Sequence, residues 1–234
     1  MCSATSVGQG SVRLGSADVT ATEPLKKVQR VPLRNRVTPF GEIVAVPGRG
    51  TLTGNRGVLH NAEREIVRDW QVRRWIACRL QFRGRHRQVM TVGRWTELFF
   101  LDEAAALADG HRPCAECRHA DYTAFQASWR TVYPDTVASA DAMDAVLHRE
   151  RRQAPFRKRS HSAQLDSLPD GTYVVLDGRA WLVWRDAIAE WSADRYVERR
   201  QRPSGVDLEV LTPPSMVAVL AAGYQLAVHP SAAG

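Results

Sequence analysis

Cys114 and Cys117 form a C-x-x-C pair. That spacing lets two thiolates of one turn approach a single ion at the about 2.3 Å of a zinc–sulfur bond. The same spacing also serves thiol–disulfide exchange, but such a pair follows a strand at the start of a helix and has an acidified first thiol. Here Pro113 and the helix-stopping Gly110 come just before it, an order that favours a metal knuckle. Two sulfurs are half a tetrahedron. By chemical type Cys78 is the third ligand, and His60, His86, His111 and His119 are candidates for the fourth. His86 sits in the turn beyond the Cys78 segment, and His111 three residues before Cys114. A competing reading makes Cys78 a buried free thiol, because Ile76, Leu80 and Phe82 share its face of a strand and free cysteine packs as a small hydrophobe.

Two further groupings could do chemistry. Arg83, Arg85 and Arg87 surround one turn, and Arg149, Arg151, Arg152, Arg157, Lys158 and Arg159 fall in a stretch with five arginines and one lysine against one glutamate. Either could track a phosphate backbone, with Trp95, Phe156 or Trp129 stacking on exposed bases; a solvated charged face is the bland alternative. Asp141, Asp144 and His148 recur at i, i+3 and i+7 and would line one helix face, where they could hold a divalent ion for phosphodiester hydrolysis. H-E-x-x-H, G-x-S-x-G, P-loop and dinucleotide fingerprints do not occur, so peptidase, esterase, NTPase and Rossmann chemistry have no support.

The elements that must position these residues are marked by periodicity and punctuation. Residues 1–27 are rich in Ser, Gly, Thr and Ala and read as a disordered arm. Short apolar runs over 37–46 and 51–53, split by Pro47-Gly48-Arg49-Gly50, predict strands; 75–82 and 88–92 predict a hairpin around the basic turn 83–86. Leu98 to Leu101 reads as a strand, Asp102 as the N-cap of a helix over 103–108, and Gly110 as its stop. A helix over 118–129 carries Tyr122, Phe125 and Trp129 inward, and a basic helical region over 136–165 begins near Ser139 and breaks around Pro155. Asp177-Gly178 joins strands 173–176 and 179–184, a strand covers 206–211, and a last helix runs from Ser215 to Gly223. The fold class is therefore α+β: a metal-binding subdomain over 28–135, the basic segment 136–165, and a β-rich subdomain over 166–234.

With 234 residues, 44% of them hydrophobic, the chain can fill a core without a metal. Four cysteines are too few for a disulfide scaffold. A formal charge of +7, carried by arginine with lysine only at Lys26, Lys27 and Lys158, suits an anionic polymer, although GC-rich coding produces the same bias. The chain has no apolar run of the about 20 residues that span a bilayer and no apolar stretch behind a basic start, which predicts a soluble, cytoplasmic protein.

Residues 99–117, a strand end, an Ala-rich helix, Gly110, His111, then Arg-Pro-Cys-x-x-Cys, resemble the second half of the zinc domain of the bacterial Ada-type alkylation-response proteins. By that resemblance Cys114 and Cys117 are the latter zinc–thiolate pair. The family's first ligand pair has no counterpart around Cys78, where Arg74 and Phe82 stand at the matching offsets. Phosphotriester methyl transfer depends on a thiolate of that first pair, so the resemblance carries the metal and not the reaction. Arg36 to Gly41, Gly110 to Arg118 and Leu211 to Pro214 are also similar to a group of bacterial proteins. The reading that unites these observations is a Zn2+ protein with a structural metal that binds DNA or RNA; the alternatives are a metal-dependent nuclease or phosphodiesterase, and a protein-interaction module.

Overall fold

The computed structural model describes residues 31–85, 88–154 and 157–233. The arm over 1–27, His86, Arg87, Phe156 and the side chain of Arg157 lie outside the described residues. Within them the chain alternates short strands with four helices, and residues 31–234 form one compact unit.

The first sheet is built from β1 (Arg36–Val37), β2 (Ile43–Val44), β3 (Leu52–Asn55), β4 (Ile76–Arg79), β5 (Leu98–Phe100) and β6 (Arg112–Pro113) in the order β2-β1-β5-β3-β4-β6. β1 runs parallel to β5 and β4 parallel to β6, and the other pairs are antiparallel. The hairpin expected over 75–92 does not form. β4 pairs instead with β3 on one side and β6 on the other, and 88–97 runs through turns into β5. Those pairings are long-range, and apolar alternation within one segment cannot tell a local partner from a distant one.

Leu98 and Phe100 of β5 and Ala77 of β4 turn to the core, where they meet α1 (Glu103–Ala108). Helix α1 begins where Asp102 accepts the Ala105 amide at 3.0 Å and stops at Gly110, whose φ is +82°. Helix α2 (His119–Val132) buries Phe125 and Trp129. Helix α3 (Ala140–Arg151) starts at Ser139, which caps Ala142, and passes into the small antiparallel pair β7 (Arg152–Ala154) and β8 (Arg157–Lys158).

A second antiparallel sheet gathers β9 (His161–Gln164), β10 (Tyr173–Leu176), β11 (Arg179–Trp184), β12 (Ala187–Trp191), β13 (Tyr196–Gln201) and β14 (Asp207–Val210) in the order β13-β12-β11-β10-β14-β9. Asp177 and Gly178 at positive φ close the β10–β11 turn, as their sequence predicts. Helix α4 (Pro214–Ala221) ends the regular structure on α2 and α3. The β-rich C-terminal half is as read. One hydrophobic cluster joins Leu98, Phe100 and α1 to Tyr173, Leu182 and Tyr196, so the core runs from the first sheet to the second. Among the described residues no helix is long and apolar enough to cross a membrane.

Candidate metal centre

Cys78 on β4 and Cys114 and Cys117 in the loop after β6 bring their sulfurs within 4.8 Å of one another, close enough to hold a metal ion. Zinc–sulfur bonds of about 2.3 Å at tetrahedral angles place thiolates about 3.8 Å apart, so the cluster needs little adjustment. The parallel pairing of β4 with β6 creates it. Ile76 faces Arg112 and Ala77 faces Pro113, and the Cys114 amide then donates to the Ala77 carbonyl at 3.0 Å, which sets the knuckle beside Cys78.

Backbone N–H groups aim at the sulfurs as they do around a bound ion. The Arg79 amide donates to Cys117 Sγ at 3.4 Å, and the Glu116 and Cys117 amides to Cys114. The Cys78 thiol is the largest influence on Cys114; with those amides it pulls the Cys114 thiol down to about 5. Donating to Cys114, in a largely buried place, raises Cys78, and burial raises Cys117.

Two buried arginines clamp the loop on either side. Arg112 reaches Asp144 of α3 through both guanidinium arms, at 3.0 and 2.7 Å, and Arg118 reaches Glu103 of α1 at 2.7 Å. Glu103 also accepts the Tyr224 hydroxyl at 2.7 Å. The cysteine loop therefore hangs between α1, α3 and the C-terminal segment. Sequence reasoning missed both arginines because a motif shows their proximity to the cysteines but not the distant carboxylates.

His111, a predicted ligand, belongs to the core and not to this cluster. It is fully buried between Trp75 and Phe100, at ring-centroid distances of 5.0 and 4.7 Å, with Nδ1 3.1 Å from Asp109. Burial lowers it to about 4 and keeps the ring neutral. His60 is buried against Thr96, and His119 bonds back to the Ala115 carbonyl. His86 lies outside the described residues, which bring together three sulfurs that could hold a metal ion.

A pocket of about 360 Å³ is lined by all three cysteines. Register explains its wall. Thr53 and Asn55 of β3 pair with Cys78 and Ile76 of β4, Thr53 also pairs with Phe99 of β5, and all five lie on the sheet face away from α1. Leu80 and Phe82 continue that face, so the apolar surface expected around Cys78 lines a pocket and not the interior. Trp95, one of the aromatics read from the sequence as a candidate to stack on exposed bases, and Glu97, which does not stand out there as more than a surface charge, complete it.

The other predicted groupings are dispersed or occupied. Arg151 is 1% exposed, its guanidinium 4.0 Å over the Trp75 ring and bonded to the Gly110 carbonyl at 2.7 Å. Burial lowers it to about 9. Lys158 points inward, donating to the Pro39 and Ala108 carbonyls, and burial lowers it to about 7. Arg152 pairs with Asp69 at 3.2 Å. Only Arg149 and Arg159 of the stretch are exposed among the side chains described, so it is no solvated basic face. Arg83 and Arg85 are exposed, Arg85 paired with Glu116 at 2.9 Å.

Nor do Asp141, Asp144 and His148 form a site. Asp144 is committed to Arg112, Asp141 is exposed beside Arg74, and His148 packs edge-on against Trp70 at 4.5 Å. The cysteine triad is the one group of three metal-binding side chains among the described residues. No family model, curated protein or solved structure matches the chain.

Proposed function

We propose that this is a zinc protein in which Cys78, Cys114 and Cys117 hold the ion and the fourth position faces a ligand pocket. The observation that carries the reading is the convergence of three sulfurs from two separate segments within 4.8 Å, at a pocket and not in the core. Three thiolates favour a soft or borderline divalent cation over magnesium or calcium, and an open fourth position separates a ligand-accepting site from a closed structural one. The exposed arginines Arg79, Arg83 and Arg85 at or near this pocket support a nucleic-acid partner better than the 149–159 stretch does. A nuclease centre at Asp141, Asp144 and His148 draws no support from their placement.

Reconstitution under reducing conditions should yield about one zinc per chain, and a cobalt-substituted sample should show thiolate-to-metal charge transfer. Cys78→Ser and Cys114→Ser should each lower the metal content, and His86→Ala tests whether that residue supplies the fourth ligand. A chain that takes up no transition metal overturns the reading.

A further inference from the structure

The pocket above the three sulfurs has a composition that a purely structural metal does not need. Phe82, Trp95 and Phe99 give it three aromatic rings, and Thr53, Asn55 and Glu97 give it polar groups. Aromatic walls with a few fixed hydrogen-bonding groups select a flat ring and then orient it.

Glu97 is the specific element. It is buried, and its Oε2 accepts the Met90 amide at 2.8 Å, which fixes the carboxylate. Oε1 has no hydrogen bond to any described residue, although Glu97 lines the pocket. A fixed carboxylate oxygen with no donor among its described neighbours seeks an N–H from whatever enters. The pocket's charges also matter. Three thiolates around a divalent ion would total −1, and among the described lining residues Glu97 and Glu116 balance Arg79 and Arg85. The lining therefore favours a neutral ring, and a strand's phosphates would be met outside it, where Arg83 is exposed. A neutral, flat ligand bearing an amino group fits these features.

We propose that this pocket takes an amino-bearing nucleobase, cytosine or adenine, whose exocyclic N–H donates to Glu97 Oε1 while its ring packs on the aromatic walls. The inference rests on the cysteines forming a metal site, since the ion sets the charge of the pocket floor. Uracil and hypoxanthine have the same shapes but present a carbonyl oxygen where cytosine and adenine present the amine. Against a carboxylate that oxygen is repelled and left unpaired, a penalty larger than the loss of one contact.

Calorimetric titration of the zinc-loaded chain with cytidine and uridine, and with adenosine and inosine, tests this. The amino-bearing member of each pair should bind at least tenfold tighter. Glu97→Gln should remove the preference, because the carboxamide oxygen can keep the Met90 amide while the NH2 donates to the carbonyl of uridine or inosine. Phe82→Ala should weaken all four nucleosides alike. A short oligodeoxycytidine separates the sources of the base: tighter, salt-dependent binding than cytidine identifies a single strand, and equal, salt-independent binding identifies a free nucleoside. Metal content is measured on the same samples. Full zinc occupancy with no binding, or with equal affinities within each pair, overturns the pocket assignment and leaves the metal reading intact. A parent chain that takes up no transition metal overturns the metal reading, whichever nucleosides it prefers.

Discussion

Asp144→Ala and Asp141→Ala, three residues apart on one helix, should differ sharply in cost. Asp144 is 3% exposed and accepts two hydrogen bonds from Arg112, itself 2% exposed. Burial pushes the Asp144 carboxyl up even against the pull of that guanidinium, so the pair by itself is no large source of stability. The cost of the mutation comes from what is left behind, a buried arginine whose remaining bond is to the Pro113 carbonyl at 3.2 Å. Stranding one member of a buried pair costs about 3–5 kcal/mol. Asp144 borders a surface cleft, which admits water to the vacated space and favours the lower figure, about 3 kcal/mol. At about 2–4 °C per kcal/mol for a domain of this size, Tm should fall by about 6–12 °C. Asp141 and its partner Arg74 are 83% and 61% exposed, so its loss should stay within about 0.5 kcal/mol. Thermal unfolding followed by circular dichroism reads both. Zinc release to a chelator should also quicken in Asp144→Ala, because Arg112 lies two residues before Cys114 and braces the strand that leads into it. A Tm unchanged in Asp144→Ala, or equal losses in the two variants, would refute the argument that Asp144 anchors the cysteine loop.

Arg151→Ser should destabilise the fold by about 2–4 kcal/mol, since it strands the Gly110 and Arg73 carbonyls and uncovers Trp75, while Arg149→Ser two residues earlier should be near neutral; equal effects would place Arg151 at the surface. His111 should add to acid lability. Held at about 4 in the fold against an ordinary 6.5, it takes up a proton first in the unfolded chain, so stability falls as pH drops from about 6.5 to 4, by about 3 kcal/mol in all. Denaturant titrations of His111→Phe should show a shallower loss over that window, and a slope identical to the parent's would remove His111 as its source.

Local signals read well from the sequence and distant ones did not. Asp102, Ser139, Gly110 and Asp177-Gly178 mark helix starts, a helix stop and a turn, and each acts within a few residues of itself. The gathering of Cys78 with Cys114 and Cys117 was legible because thiol chemistry offered few partners. The pocket was not, because its wall depends on the register of β3 against β4 and β5, which no local pattern encodes. The basic stretch misled for a related reason. Arginine's long apolar stem and planar head can cover an aromatic ring while the head bonds to carbonyls, and composition cannot separate Arg151 over Trp75 from an arginine in water. The strand over 196–201 went unread because polar residues such as Glu198, Arg199 and Arg200 fill its exposed positions.

The run from His111 to Arg118 looks like a metal motif with incidental polar residues, yet the charges flanking its cysteines do most of the positioning. Arg112 and Arg118 would each be costly to bury alone, and each is made tolerable by a carboxylate from a different helix, Asp144 and Glu103. Glu103 in turn holds Tyr224 and the Ala227 amide, and Asp102 beside it holds Tyr196 of β13. The two cysteines of this loop are thus fixed only once α1, α3, the second sheet and the C-terminal segment are in place, and Cys78 only once β4 has paired with β3. An ion held by all three cysteines binds the folded chain and not the unfolded one, so its affinity feeds directly into global stability. It follows that a mutation far from the sulfurs, such as Tyr196→Phe at the far end of this network, should lower the Tm of the metal-free chain, and that zinc in excess should raise the Tm of that variant as it raises the parent's. A variant Tm that zinc leaves unmoved, while the parent's rises, would show that the network controls the ligands themselves and not only the fold that carries them.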